Sequence, residues 1–260
     1  MTSDPTILKA EDNTSDWYHQ TLGDNGQSLI WLHGWGQNHT ALSRLANLFK
    51  ADHINKIYDQ PGFGKTPLIV DGGTADYADN LAKQLSPDQP HIIIGHSYGG
   101  RVAIQMASRH PELIKAIVLI GGAGIPRTRS LAFKLKAAFL KQLGRAARLI
   151  DSLFKSNLQE RYSKRFGSSD YRNAGTLRTT FVKAVTENLT NIAKQIKVPA
   201  LLIYGSDDTE APPEIGKKYE EAIAIARYEE LEGFDHWDIL DRGAYQCEAL
   251  IRTFFKDLNL

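Results

Sequence analysis

His91-Ile92-Ile93-Ile94-Gly95-His96-Ser97-Tyr98-Gly99 decides how this chain folds. Ile92 to Ile94 form the continuous apolar run of a strand buried on both faces. From Arg101 to His110 the apolar residues Val102, Ile104, Met106 and Ala107 describe a helix, which Pro111 stops. Between strand and helix lies a tight turn with one serine at its tip. Gly95 and Gly99, two places to either side, let the backbone bend sharply enough to lift the Ser97 hydroxyl out of the sheet, and the helix behind it aims amide groups at developing negative charge. Gly-x-Ser-x-Gly by itself arises by chance in many chains. Its place between a buried strand and a helix makes Ser97 the candidate nucleophile, against the plainer reading of a tight turn.

The same alternation runs outward in both directions. Short apolar runs at Ser28–Leu32, Ile54–Tyr58, His91–Ile94, Ala116–Ile120, Ala200–Tyr204 and Arg227–Leu231 are separated by helical patterns near Leu42–Phe49, Asp76–Leu85, Arg101–Ser108, Pro213–Ala224 and Tyr245–Leu258. This predicts an α/β fold, a mostly parallel sheet with helices on both faces. Only Trp17 to Thr21 remains for an opening strand.

The rhythm breaks after Gly124. From Ile125 to about Gln195 there is no strand-like run, yet Ala132, Leu135, Phe139, Leu143, Ala146, Ile150 and Leu153 recur at helical spacing. The chain therefore divides into a first core part at 1–124, a helical cap insertion at 125–191 and a second core part at 192–260. Roughly fifteen basic and four acidic residues fall between 125 and 195, so with an overall formal charge of +1 the remainder is net acidic. Lys134, Lys136, Lys141, Arg145 and Arg148 could steer an anionic substrate, an acyl carrier or a lipid surface, or simply form a solvated helix face.

With 260 residues and 42% hydrophobic content the chain can bury a full core. The balanced charge gives no pull toward nucleic acid. Cys247 is the single cysteine, which excludes an intramolecular disulfide and any all-cysteine metal site. Met1 to Asp16 is polar and acidic, and no apolar run in the chain is long enough for a secretory signal or a transmembrane segment. A cytoplasmic protein is the expectation.

A serine hydroxyl becomes nucleophilic when a base takes its proton and a third group orients that base. Ala200 to Tyr204 ends in Gly205-Ser206-Asp207-Asp208, and Asp235-His236-Trp237-Asp238 follows the last strand and Gly233. Both segments fall at carboxyl ends of strands, on the edge that carries Ser97, where open parallel sheets bind ligands. His236 is the candidate base and Asp208 the candidate acid, with Asp207 as its competitor; Asp235 and Asp238 read as caps or turn residues. His33-Gly34-Trp35-Gly36 can present the Trp35 amide which, with the Tyr98 amide, makes the candidate oxyanion hole. His33 itself reads as a brace for its loop. Trp35, Tyr98 and Trp237 are candidate substrate-lining aromatics. Asp59-Gln60-Pro61-Gly62-Phe63-Gly64-Lys65-Thr66 ends like a phosphate-binding loop, but its first glycine is replaced by Asp59 and Pro61 removes an amide, so a rigid turn is expected instead.

Taken together, Ser97, Asp208, His236 and the turns at His33 and Asp59-x-Pro-Gly-x-Gly resemble the α/β-hydrolase superfamily, over the whole chain apart from the insertion. The resemblance implies an α/β-hydrolase fold of eight strands or slightly fewer, a helical cap inserted after the sixth strand, and no cofactor or metal. Serine at the elbow implies an acyl-enzyme, in contrast to the carboxylate nucleophile of epoxide hydrolases and haloalkane dehalogenases. His33-Gly34-Trp35-Gly36 is similar to carboxylesterases of the biotin pathway, which trim a methyl ester. His236-Trp237 is similar to meta-cleavage product hydrolases, which cut carbon-carbon bonds, although those usually have asparagine where this chain has His96. A small-molecule ester or thioester is the expected substrate. The alternatives are a carbon-carbon bond hydrolase and a non-catalytic binding protein on the same fold.

Overall fold

The computed structural model describes residues 16–128 and 174–260, with isolated positions between them. Seven strands form one sheet: β1 (His19–Leu22), β2 (Gln27–Leu32), β3 (His53–Tyr58), β4 (His91–His96), β5 (Ile114–Ile120), β6 (Ala200–Gly205) and β7 (Ala226–Leu231). Their order is β1-β3-β2-β4-β5-β6-β7. Only β1 runs antiparallel to its neighbour, β3; every other pair is parallel. The opening strand read at Trp17–Thr21 thus begins two residues later. Trp17 instead turns into the core at 2% exposure, its indole N–H donating to Asn80 Oδ1 at 2.6 Å.

Side-chain alternation along the central strands builds two cores. Ile30, Leu32, Ile93, Ile117, Leu119 and Leu202 face α2 (Thr74–Ala82), α3 (Tyr98–Arg109) and α6 (Pro213–Ala222). Leu29, Trp31, Ile92, Ile94, Val118, Leu201 and Ile203 face α1 (Thr40–Asn47) and α7 (Ala244–Asp257). Central strands buried on both sides are what their unbroken apolar runs require. Cys247 belongs to the second core, and burial pushes its thiol up to about 12, so it stays a neutral packing residue.

Between β5 and β6 the described residues include α4 (Arg178–Thr186) and α5 (Thr190–Ala193) and no strand. The apolar stripe read from Ala132 to Leu153 lies outside the described residues, apart from isolated positions. Among the described residues, five strands precede the interruption and two follow it. Among the described residues, no helix is long and apolar enough to cross a membrane.

The Asp59 turn is rigid for a visible reason. Asp59 Oδ1 accepts the His39 amide at 2.6 Å, Oδ2 accepts the Lys65 amide at 2.8 Å, and Thr66 Oγ1 donates to the Asp59 carbonyl at 2.7 Å. A Cβ at Gly64 would lie 2.2 Å from Asp59 Oδ2. The Asp59 carboxylate thus occupies the inside of the turn and takes up the His39 and Lys65 amides.

Candidate active site

Ser97 occupies the single residue between β4 and α3, with φ 51° and ψ −109°. A non-glycine residue held there costs about 1–3 kcal/mol, and the surrounding structure must enforce it. The two flanking glycines are what allow it. A Cβ on Gly95 would lie 2.5 Å from the Gly99 carbonyl oxygen, and one on Gly99 would lie 2.1 Å from that of Leu32. The turn is pinned by the Ser97 amide donating to Ile120 O at 3.2 Å and by Gly100 and Ala123 amides donating to Ser97 O.

The loops after β6 and β7 are laced together. The Asp207 amide donates to Phe234 O at 3.0 Å, and the Gly233 amide donates to Ser206 Oγ at 2.8 Å. A side chain on Gly205 would prevent this, since its Cβ would meet Phe234 O at 2.1 Å. This lacing brings His236 Nδ1 to 2.6 Å from Asp208 Oδ2, both residues being buried. Asp208 Oδ1 accepts the amides of Glu210 at 2.8 Å and Ala211 at 2.7 Å. Three hydrogen bonds compensate the desolvated carboxylate. Asp207, in contrast, is exposed and among the described residues its side chain accepts only from Ser206 Oγ, at 3.1 Å. Asp235 and Asp238 are turn residues: Asp235 Oδ1 accepts the Trp237 and Asp238 amides, each at 2.8 Å, and Asp238 Oδ1 accepts the Asp235 amide at 2.7 Å. Those backbone donors hold the Asp235 carboxyl below the usual range.

His236 Nε2 has no hydrogen-bond partner among the described residues. His236 lines a cavity of about 720 Å³ whose wall also includes Ser97, Trp35, Tyr98, Trp237, Phe181 and Arg101. Neither the Trp35 nor the Tyr98 amide donates a hydrogen bond among the described residues. The Trp35 ring packs edge-on against Phe63 at 5.0 Å and Tyr98 at 5.3 Å, and Phe181 from α4 lies 5.0 Å away. His33 stands outside the lining. The Gln60 amide donates to its Nε2 at 3.1 Å, its Nδ1–H donates to Gly34 O at 2.7 Å, and burial lowers its pKa to about 4. It braces the loop that carries Trp35.

His96 had signalled only a departure from asparagine, yet it holds the second half of the site. Its Nε2–H donates to the His236 carbonyl at 2.9 Å, and the two rings stand 4.7 Å apart. Burial, helped by the neighbouring His236, drives its pKa down to about 3, so it is a neutral donor. Gly34 makes room for it, since a Cβ there would come within 3.0 Å of His96 Nδ1. His96→Ala is expected to lower kcat by about ten- to a hundredfold through misplacement of His236, with most of the loss restored in His96→Asn, which keeps a donor. Steady-state kinetics of both variants check this; equal activity in His96→Ala would make the contact a packing detail.

Arg101, Phe181 and Glu210 also emerge only in three dimensions. Glu210 Oε2 lies 3.8 Å from His236 Nε2, and its Oε1 accepts the Trp237 indole N–H at 3.0 Å. Among the described residues no group of three His, Cys, Asp or Glu side chains could hold a metal ion.

A family model described as "alpha/beta hydrolase fold" matches residues 27–243. The chain belongs to the α/β hydrolase fold family. Among curated proteins, this α/β hydrolase is 25% identical over 251 residues to the pimeloyl-[acyl-carrier protein] methyl ester esterase of Neisseria meningitidis serogroup B, covering 90% of this chain and 95% of that protein. The protein of the same name from Chromobacterium violaceum is 26% identical over 228 residues, 80% of this chain and 85% of that one. Solved structures of similar fold include a thermophilic esterase from Thermogutta terrifontis, with a TM-score of 0.69, 16% identity and 94% of each chain covered. A meta-cleavage product hydrolase from Pseudomonas fluorescens has a TM-score of 0.65 at 18% identity, with 93% of this chain and 94% of that one covered.

Proposed function

We propose that this α/β hydrolase is a carboxylesterase working through an acyl-enzyme on Ser97. The observation that carries the reading is His236, whose Nδ1 is tied to buried Asp208 while its Nε2 is left without a hydrogen-bond partner among the described residues, in a residue that lines the same cavity as Ser97. Asp208 fixes the tautomer in which Nδ1 bears the proton, so Nε2 is free to take the proton of Ser97. Ser97 Oγ attacks the ester carbonyl, and the Trp35 and Tyr98 amides receive the charge of the tetrahedral oxyanion. Protonated His236 returns the proton to the leaving alcohol. Water, deprotonated by the same imidazole, then releases the acid.

The segment 125–191 acts in this reading as a cap, with α4 contributing Phe181 and Ala184 to the cavity wall. Its basic excess suits an anionic substrate, free or tethered to an acidic acyl carrier of the kind named for the relatives. A cytoplasmic setting fits such a substrate and the lone, buried cysteine.

Exposure of the protein to a fluorophosphonate probe should add the mass of one probe less HF on intact-mass analysis, and methyl and p-nitrophenyl esters graded by acyl length should be hydrolysed. A folded protein that takes no label and turns over no ester would favour the binding-protein alternative.

A further inference from the structure

In the esterase reading the leaving alcohol takes its proton from His236 Nε2. Its oxygen must therefore come within about 3 Å of that nitrogen, and whatever else surrounds Nε2 flanks the alcohol. Glu210 does so. Its Oε2 lies 3.8 Å from Nε2, beyond hydrogen-bonding distance, and its side chain is 54% exposed and lines the cavity that holds Ser97. The backbone there is fixed, because the Glu210 amide donates to Asp208 Oδ1 at 2.8 Å. Asp208 thus places the imidazole and the second carboxylate together. Oε1 of Glu210 accepts the Trp237 indole N–H at 3.0 Å, whereas Oε2 makes no hydrogen bond among the described residues.

A negative charge and an exposed indole therefore stand on the alcohol side of the scissile bond. A carboxylate in that place attracts a cationic group on the alcohol and opposes an anionic one. A charge two or three bonds beyond the ester oxygen stays within roughly a Debye length of Oε2, about 10 Å at 0.1 M salt, so solvent ions do not erase the effect. An indole face attracts an ammonium group as well. Arg101 and Arg127 line the same cavity with the opposite charge, Arg101 having Glu187 Oε2 at 3.7 Å. If the arginines governed the alcohol side, an anionic alcohol would be favoured instead, and the two cases give opposite orders of substrate.

We infer that Glu210, with Trp237, forms the leaving-group subsite and selects esters whose alcohol carries a positive charge, such as amino alcohols in their ammonium form. This inference rests on the esterase reading and names the class of alcohol for it.

The test measures kcat/KM, by proton release at low salt, for esters that share the acyl group best turned over in the graded series and differ only in the alcohol. These are the 2-(trimethylammonio)ethyl ester, its uncharged isostere the 3,3-dimethylbutyl ester, and the anionic 2-sulfonatoethyl ester. The ammonium ester should exceed its isostere about fivefold or more, the combined worth of an exposed ion pair and a cation–aromatic contact, and the sulfonate should come last. In Glu210→Gln, whose amide oxygen can still accept the Trp237 indole N–H, the ammonium-to-neutral ratio should fall to about twofold or less, the share left to the indole. Asp207→Asn, which removes an exposed carboxylate outside the cavity lining, should leave the ratio in place. Added salt should narrow the ratio in the unmodified enzyme, a readout that needs no variant. Equal rates for the ammonium ester and its isostere, a sulfonate preferred over the isostere, or a ratio unmoved by Glu210→Gln overturns the inference while leaving the esterase intact. If no ester is hydrolysed, the esterase reading itself falls, and the inference falls with it.

Discussion

Ser97→Ala is expected to lower kcat for any ester substrate by on the order of 10⁴- to 10⁶-fold and to abolish fluorophosphonate labelling. The substitution removes one oxygen from a turn whose shape is set by Gly95, Gly99 and the Ile120 carbonyl, none of which depends on the hydroxyl. The fold should survive, with an unchanged circular dichroism spectrum and a similar Tm. Whatever rate remains would be what the proposed oxyanion amides of Trp35 and Tyr98 and binding in the cavity supply. His236→Ala should lose a comparable factor, and the double variant little more than either alone, since residues that act as one unit are not additive. Retention of even a tenth of the activity in Ser97→Ala would exclude an acyl-enzyme at this serine and reopen the assignment of the nucleophile.

The parts of the site that a linear reading reveals are those fixed by backbone geometry. β4 and its turn are legible because an unbroken apolar run followed by Gly-x-Ser-x-Gly has few other uses, and because helix α3 declares itself by spacing. Asp208 and His236 are legible as pieces because each follows a strand, and parallel strands deliver their carboxyl ends to one edge. The choice between Asp207 and Asp208 is of another kind. It depends on which carboxylate meets the amides of Glu210 and Ala211, a matter settled by the direction of one turn.

His96, Arg101, Phe181 and Glu210 belong to neither group. Their importance arises from approach between distant segments: His96 to a carbonyl 140 residues away, Arg101 to Glu187 beyond the interrupted stretch. Hydrophobic periodicity carries no information about such meetings. Trp17 illustrates the reverse case, an aromatic with strand preference that leaves the strand because Asn80 offers its indole a partner and Tyr58 and Tyr77 each pack against its ring at 6.1 Å.

Asp208→Asn should reduce kcat by on the order of 10⁴-fold while leaving stability nearly unchanged. The amide of asparagine has one acceptor and one donor end, and this pocket dictates their order. Two backbone N–H groups, from Glu210 and Ala211, point at Oδ1, so the amide oxygen must take that place. The NH₂ then faces His236 Nδ1, whose N–H donates to Asp208 Oδ2 at 2.6 Å in the unmodified protein. Two donors cannot share that contact, and the imidazole must move its hydrogen to Nε2. The base then presents N–H toward Ser97 and cannot accept the serine proton. Because the loop amides stay satisfied, Tm should shift little, whereas Asp208→Ala orphans them at a cost of about 1–3 kcal/mol. Asp207→Asn, on an exposed side chain bonded only to its neighbour, should leave kcat within about twofold. Kinetics and thermal unfolding of the three variants separate the roles: full activity in Asp208→Asn would transfer the orienting function to another carboxylate, with Asp207 and Glu210 the next to test.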